Sequence, residues 1–106
     1  MKKAVIYTRT ATKCDMEIYQ QIAMCEHYAN EKGVAVQKVF IDNGNSGRNT
    51  NRPALRKLLR NAKRGKFQFV IIYKMDRLSR NLTDYLMIEK QLAEHDVKII
   101  SPMGGA

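Results

Sequence analysis

Phe67-Gln68-Phe69-Val70-Ile71-Ile72-Tyr73 is apolar at every position but one. A strand with water on one face alternates apolar and polar residues. A strand without alternation is buried on both faces, and that is the habit of a central parallel strand. Parallel neighbours need crossover connections, usually helices, and the remaining sequence supplies them. Lys3 to Tyr7 opens the chain as a short buried strand. Asp15 is placed to cap a helix running to about Lys32, with Ile18, Ile22, Cys25 and Ala29 on one face and Gly33 at the left-handed C-terminal cap. Val34 to Ile41 alternates as a second strand. Asn51 caps a second helix with Pro53 in its first turn, where a missing N–H is harmless. Ala54, Leu55, Leu58, Leu59 and Ala62 form its apolar stripe, and Gly65 ends it. After the central strand, Lys74 to Arg80 reads as a polar turn. A third helix covers about Asn81 to Glu94 with Leu82, Tyr85, Ile88 and Leu92 inward, and Val97 to Ile100 is the last strand. The order β-α-β-α-β-α-β predicts an α/β fold, a parallel sheet in three α/β/α layers, within one domain of 106 residues.

Charge narrows the function. Nineteen Lys and Arg oppose ten Asp and Glu, a net +9. From Arg48 to Arg80 stand eleven basic residues and one acid, Asp76. Such a block attracts polyanions, nucleic acid above all, although a solvated helix face accounts for charge bias equally well. The longest apolar run, Phe69 to Tyr73, is far short of a bilayer span, and no apolar segment of signal-peptide length follows Met1. Cys14 and Cys25 have neither metal-ligand spacing nor a disulfide framework, which fits a reducing cytoplasm.

In open α/β sheets ligands bind beyond the carboxyl ends of the strands. Here those ends are Thr8 to Cys14, Asp42 to Asn51 and Lys74 to Arg80, which bring Arg9, Asp42, Arg48, Arg52, Asp76, Arg77 and Arg80 to one rim. Guanidinium groups gathered together repel unless an anion neutralises them, and their planar fork matches phosphate oxygens. A phosphate-recognising site is the expectation; the alternative is scattered surface arginines paired with Asp42 and Asp76. The glycine-rich nucleotide loop ending in Lys-Ser/Thr is absent, and Tyr7 to Thr12 carries no carboxylate for Mg²⁺. No cofactor and no metal are expected. Cys14 has no following arginine in its loop, as a phosphatase nucleophile would want, and His27 and His95 have no evident catalytic partner.

Several segments carry a family resemblance. Tyr7-Thr8-Arg9-Thr10-Ala11-Thr12 resembles the Tyr-x-Arg-x-Ser-Thr segment of serine site-specific recombinases, the resolvase, invertase and integrase group. Asp42-Asn43-Gly44-Asn45-Ser46-Gly47 is similar to that family's Asp-x-x-x-Ser-Gly loop, and Arg52-Pro53-Ala54-Leu55 to its Arg-Pro-x-Leu helix start. Lys74-Met75-Asp76-Arg77-Leu78-Ser79-Arg80 is very similar to its Lys-x-Asp-Arg-Leu-x-Arg signature. The matches run in family order from residue 3 to about residue 101.

The resemblance implies a flavodoxin-like resolvase catalytic domain that acts on DNA through a 5′-phosphoseryl link, without metal or nucleotide. By position, Arg9, Arg77 and Arg80 would clamp the phosphate. Arg52 would add charge or help activate the nucleophile and leaving group, and Arg48 would contact DNA. Gln21 would lie near the phosphate. Asp76 would orient arginines or handle protons, Asp42 would hold arginine geometry, and Tyr7 would support the strand end. The resemblance further implies a cytoplasmic protein of bacterial, phage or mobile-element origin, dimeric or tetrameric at full length. At the nucleophile position the chain has Ala11, which lacks a hydroxyl, so cleavage by the family route is not expected. The long dimerisation helix and DNA-binding domain of the family are not found by Ala106, so the expectation is a catalytic core, monomeric or weakly associated, that binds DNA weakly without sequence preference. A noncatalytic nucleic-acid-binding module and a regulatory partner of an active recombinase are the competing readings.

Overall fold

The computed structural model describes residues 1–44 and 52–104. The elements in order are β1 (Lys3–Thr10), α1 (Asp15–Lys32), β2 (Ala35–Asn43), α2 (Pro53–Ala62), β3 (Phe69–Ile72), α3 (Met75–Leu78), α4 (Leu82–Ala93) and β4 (Lys98–Ile100). The four strands form one all-parallel sheet in the order β2-β1-β3-β4. The two inner strands are the ones with the least alternation, β1 and β3. Every β1 residue from Ala4 to Thr10 is buried.

Strand side chains point alternately to the two faces, so β1 feeds two cores. Ala4 and Ile6 join Ile71 of β3 and Cys25 and Ala29 of α1 in one layer. Val5 and Tyr7 join Val70 and Ile72, with Leu55 and Leu58 of α2 and Tyr85, Ile88 and Leu92 of α4, in the other. Helices therefore cover both faces, which is what continuous apolar strands require. Gly33 takes φ 69° and ends α1 as the left-handed cap, its N–H bonding back to the Asn30 carbonyl.

Five local expectations differ from the structure. The α1 N-cap position is Cys14, in extended conformation without a side-chain cap bond; Asp15 lies inside the first turn, where its charge still favours the positive helix end. Ile22 is only half-buried, and Gln21 takes its place in the buried stripe. Leu82 is 62% exposed, because Asn81 caps α4 through its side chain and turns that first residue away from the core. Lys74 to Arg80 is not simply a turn. It contains α3, whose Leu78 is fully buried in the larger core. The α2 N-cap position is Arg52, and the predicted cap Asn51 lies outside the described residues, as do Arg48 and the other positions of 45–51.

A bulge in β2 sets which side chains face α2. Ala4 pairs with Val36 but Val5 pairs with Lys38, so Gln37 is the extra residue. Beyond it Lys38, Phe40 and Asp42 share the α2 side of the sheet, with Phe40 in the larger core.

Candidate functional site

Three chain segments meet at the carboxyl ends of β1, β2 and β3. β1 ends on Tyr7-Thr8-Arg9-Thr10 and delivers Ala11 just past its end. β2 ends on Asp42 and Asn43. The turn after β3 carries α3 with Asp76 and Arg77, then Arg80.

Asp42 anchors the site. It is 2% exposed, and its two oxygens accept three hydrogen bonds. Oδ1 takes the Ala54 N–H at 3.0 Å; Oδ2 takes the Leu55 N–H at 3.1 Å and the Tyr7 hydroxyl at 2.8 Å. The carboxylate thus caps α2 from a different element, at the helix end where backbone N–H groups lack partners. Tyr7 passes this order on. Its oxygen accepts from Arg52 Nε at 3.2 Å and Nη2 at 3.0 Å, and the guanidinium lies 5.4 Å from the Tyr7 ring centre. Arg52 Nη2 also donates to the Leu78 carbonyl, and Nη1 lies 3.8 Å from Asp84 Oδ2. Burial raises the Tyr7 hydroxyl pKa; the nearby Arg52 opposes that shift and Asp42 reinforces it. Asp42 therefore reaches Arg52 through the Tyr7 hydroxyl, not through a direct ion pair.

Arg9 is the innermost guanidinium, 4% exposed, and its Nη2 donates to the Asp76 carbonyl at 3.2 Å. Its pKa is lowered by burial first and then by the positive charge of Arg52; Arg80 and Arg77 push the same way, while Tyr7 opposes. Four arginines from three segments thus share one electrostatic neighbourhood. Arg77 does meet acids, at 2.8 Å from Glu17 on α1 through Nη2 and at 3.8 Å from Asp76 through Nε. Arg80 is exposed at the rim.

Gln21 is buried at 2% exposure on α1, and its Nε2 donates to the Arg9 carbonyl at 3.3 Å and to Glu17 Oε1 at 3.4 Å. Its Oε1, Asp76 Oδ1 and Arg77 Nε are buried without a hydrogen-bond partner among the described residues. Each such group costs about 1–3 kcal/mol. For the Arg77 N–H, an anionic oxygen entering the site would remove that deficit. Among the described residues no cluster of three His, Cys, Asp or Glu could hold a metal ion.

Sequence reasoning missed Asn43, Glu17 and the Leu78 carbonyl. Asn43 Oδ1 accepts from the Thr10 hydroxyl at 2.6 Å and the Cys14 N–H at 2.9 Å, while its Nδ2 donates to Asp15 at 2.8 Å. It staples both ends of the segment that carries Ala11. Glu17 stands four residues before Gln21 on one helix face, which puts it beside the site but does not identify Arg77 as its partner. Nothing local marks Asn43 or the Leu78 carbonyl, because both act on partners distant in sequence.

The family description Resolvase, N terminal domain, matches residues 4–105. The chain is 35% identical over 99 residues to a relative from Bacillus subtilis (strain 168), covering 90% of this chain and 19% of that protein. It is 41% identical over 64 residues to the Transposon Tn501 resolvase of Pseudomonas aeruginosa, covering 60% of this chain and 33% of that protein. The chain thus spans a third or less of these curated relatives. Among solved structures it is similar to the N-terminal catalytic domain of TP901-1 integrase, with TM-score 0.87, 35% identity and coverage of 94% of this chain and 77% of that one. It is also similar to the C-terminal catalytic domain of ISC1926 TnpA, an IS607-like serine recombinase, with TM-score 0.84, 33% identity and coverage of 98% and 71%.

Proposed function

The chain belongs to the resolvase family of serine recombinases, as its catalytic domain, and from that premise we propose that its arginine-lined rim grips one DNA phosphodiester with Ala11 at the position of attack. Arg9 and Arg52 both donate to carbonyls of α3, those of Asp76 and Leu78, which flank Arg77 in the chain, and this meeting beside the end of β1 carries the reading. Arg9 and Arg77 hold the nonbridging oxygens, and Arg80 meets the strand at the rim. Arg52, fixed by Tyr7 and the Leu78 carbonyl, adds positive charge where the pentavalent phosphate builds negative charge. Gln21 and Asp76 hold the Arg9 main chain and guanidinium, and Asp42 acts through Tyr7. Arg48 contributes to the DNA approach.

With serine at position 11, its oxygen would form a bond to phosphorus while the bond from phosphorus to the 3′ oxygen breaks. The serine proton leaves, the 3′ oxygen gains one, and the DNA 5′ phosphate stays on the protein. Alanine forms no such bond, so the chain as it stands binds DNA without cutting it, and no metal enters the scheme. For the whole protein the reading includes dimer or tetramer assembly on DNA in the cytoplasm.

The test has two arms. Titration of a short oligonucleotide, followed by NMR of the arginine side chains, should shift Arg9 and Arg77 together; unshifted signals sink the clamp. An Ala11→Ser chain assembled on its DNA site should yield a covalent 5′ adduct on the peptide containing residue 11, and absence of that adduct sinks the assignment of the attack position.

A further inference from the structure

The arginine rim leaves most of the positive charge unused. From Asn43 to Met75 the sequence holds no acid. Arg56, Lys57, Arg60, Lys63, Arg64 and Lys66 are all exposed along α2 and the turn after it. Arg56 and Arg60 fall at i and i+4 on the face of α2 opposite the buried Leu55, Leu58 and Ala62, and Lys63 and Arg64 follow in the turn.

The bulge in β2 adds to this face from the sheet. It turns Lys38 to the side of Phe40, and the Lys38 amine sits 5.0 Å from the Phe40 ring centre. Lys57 of α2, and more weakly Lys66, face the Lys38 amine as like charges and hold it below the ordinary lysine value. A strand, a helix and the connection after it thus bring three ammonium groups to one exposed place. Among the described residues none of Lys38, Lys57 and Lys66 forms an ion pair with an acid. Like charges gathered without a counter-charge are repulsive, and a bound polyanion reverses the sign of that interaction.

We propose that the Lys38–Lys57–Lys66 cluster and the exposed face of α2 form a second DNA-backbone contact, separate from the arginine clamp and continuous with it along one helix. The choice of DNA as occupant rests on the function proposed above and on the complementary charge. Arg52, the N-cap residue of α2, belongs to the clamp, and Lys57 lies about 8 Å farther along the helix axis. Phosphates on one DNA strand advance about 3.4 Å each along the duplex. A strand gripped at the clamp therefore brings the phosphates from two or three positions onward over the lysine cluster. This contact reads no bases; it adds affinity and orients the strand.

The experiment measures binding of a fluorescent duplex to the chain by anisotropy across a salt series. The triple variant Lys38→Gln, Lys57→Gln, Lys66→Gln should lower the slope of log K against log salt by about 2–3, since each lost phosphate contact removes about 0.9. Its affinity near 0.1 M salt should fall tenfold or more. A control, Lys32→Gln, Lys90→Gln, Lys98→Gln, removes the same charge from other exposed positions and should leave the slope nearly unchanged. Equal losses in the two triples, an unchanged slope in the first, or tighter binding of anionic phosphatidylglycerol vesicles than of DNA would each overturn the proposal. Arg77→Ala separates the two readings. If that variant loses binding while the lysine triple does not, the clamp stands and the second contact falls; the reverse result removes the clamp and leaves the second contact standing.

Discussion

Replacing Asp42 with alanine removes three acceptor interactions at once. The Ala54 and Leu55 N–H groups lose their cap, worth about 1 kcal/mol with a range of about 0.5–2. The Tyr7 hydroxyl loses its charged acceptor, worth about 1.5–3 kcal/mol. The hydroxyl still accepts from Arg52, so part of its bonding survives. The expected loss for Asp42→Ala is therefore about 2–5 kcal/mol, a large share of the 5–15 kcal/mol typical of a domain. Asp42→Asn keeps one acceptor oxygen and turns the other position into a donor, so it should lose about half as much. Urea unfolding measures both. With an unchanged slope of about 1–3 kcal/mol per molar, the alanine variant's midpoint falls by about 1 M or more. A double-mutant cycle with Tyr7→Phe should show coupling of about 0.5–3 kcal/mol, because the two side chains share one hydrogen bond. A loss below about 1 kcal/mol for Asp42→Ala, or zero coupling, would refute the capping and relay argument.

Two further outcomes follow from the same structure. Burial raises the Tyr7 hydroxyl above its ordinary value of 10.0 and pushes the Cys25 thiol from 9.0 up to about 12. Both groups keep their protons in the fold after the unfolded chain has lost them. Their contribution is thus complete below pH 9 and fades above it, at up to about 1.4 kcal/mol per pH unit for each group. Urea midpoints should decline from pH 9 to 11, and Tyr7→Phe should flatten the part above pH 10; an equally steep decline in that variant would refute the assignment. Asn43→Ala should speed hydrogen exchange at the Cys14 amide, whose acceptor is Asn43 Oδ1, while the Ile6 amide within β1 exchanges as before. Unchanged exchange at Cys14 would show that the staple does not hold the Ala11 segment.

The element order was legible in the residues because each signal is local. The unbroken apolar run of β3, the helical stripe of Leu55, Leu58 and Ala62, and Gly33 at a left-handed cap all act within a few positions of themselves. The same locality supported the placement of Arg9, Arg52, Asp76, Arg77 and Arg80 near strand ends. Tertiary structure decided what those residues do to one another. A carboxylate on β2 caps α2, a hydroxyl on β1 relays it to Arg52, and Glu17 on α1 meets Arg77 beyond β3. Leu78 became core inside a polar segment, Leu82 left the core at a helix start, and one extra residue in β2 turned Lys38 toward Lys57. Periodicity along the chain fixes which face a residue occupies within its own element. Which residue waits across the gap depends on how elements pack, and no local pattern carries that information.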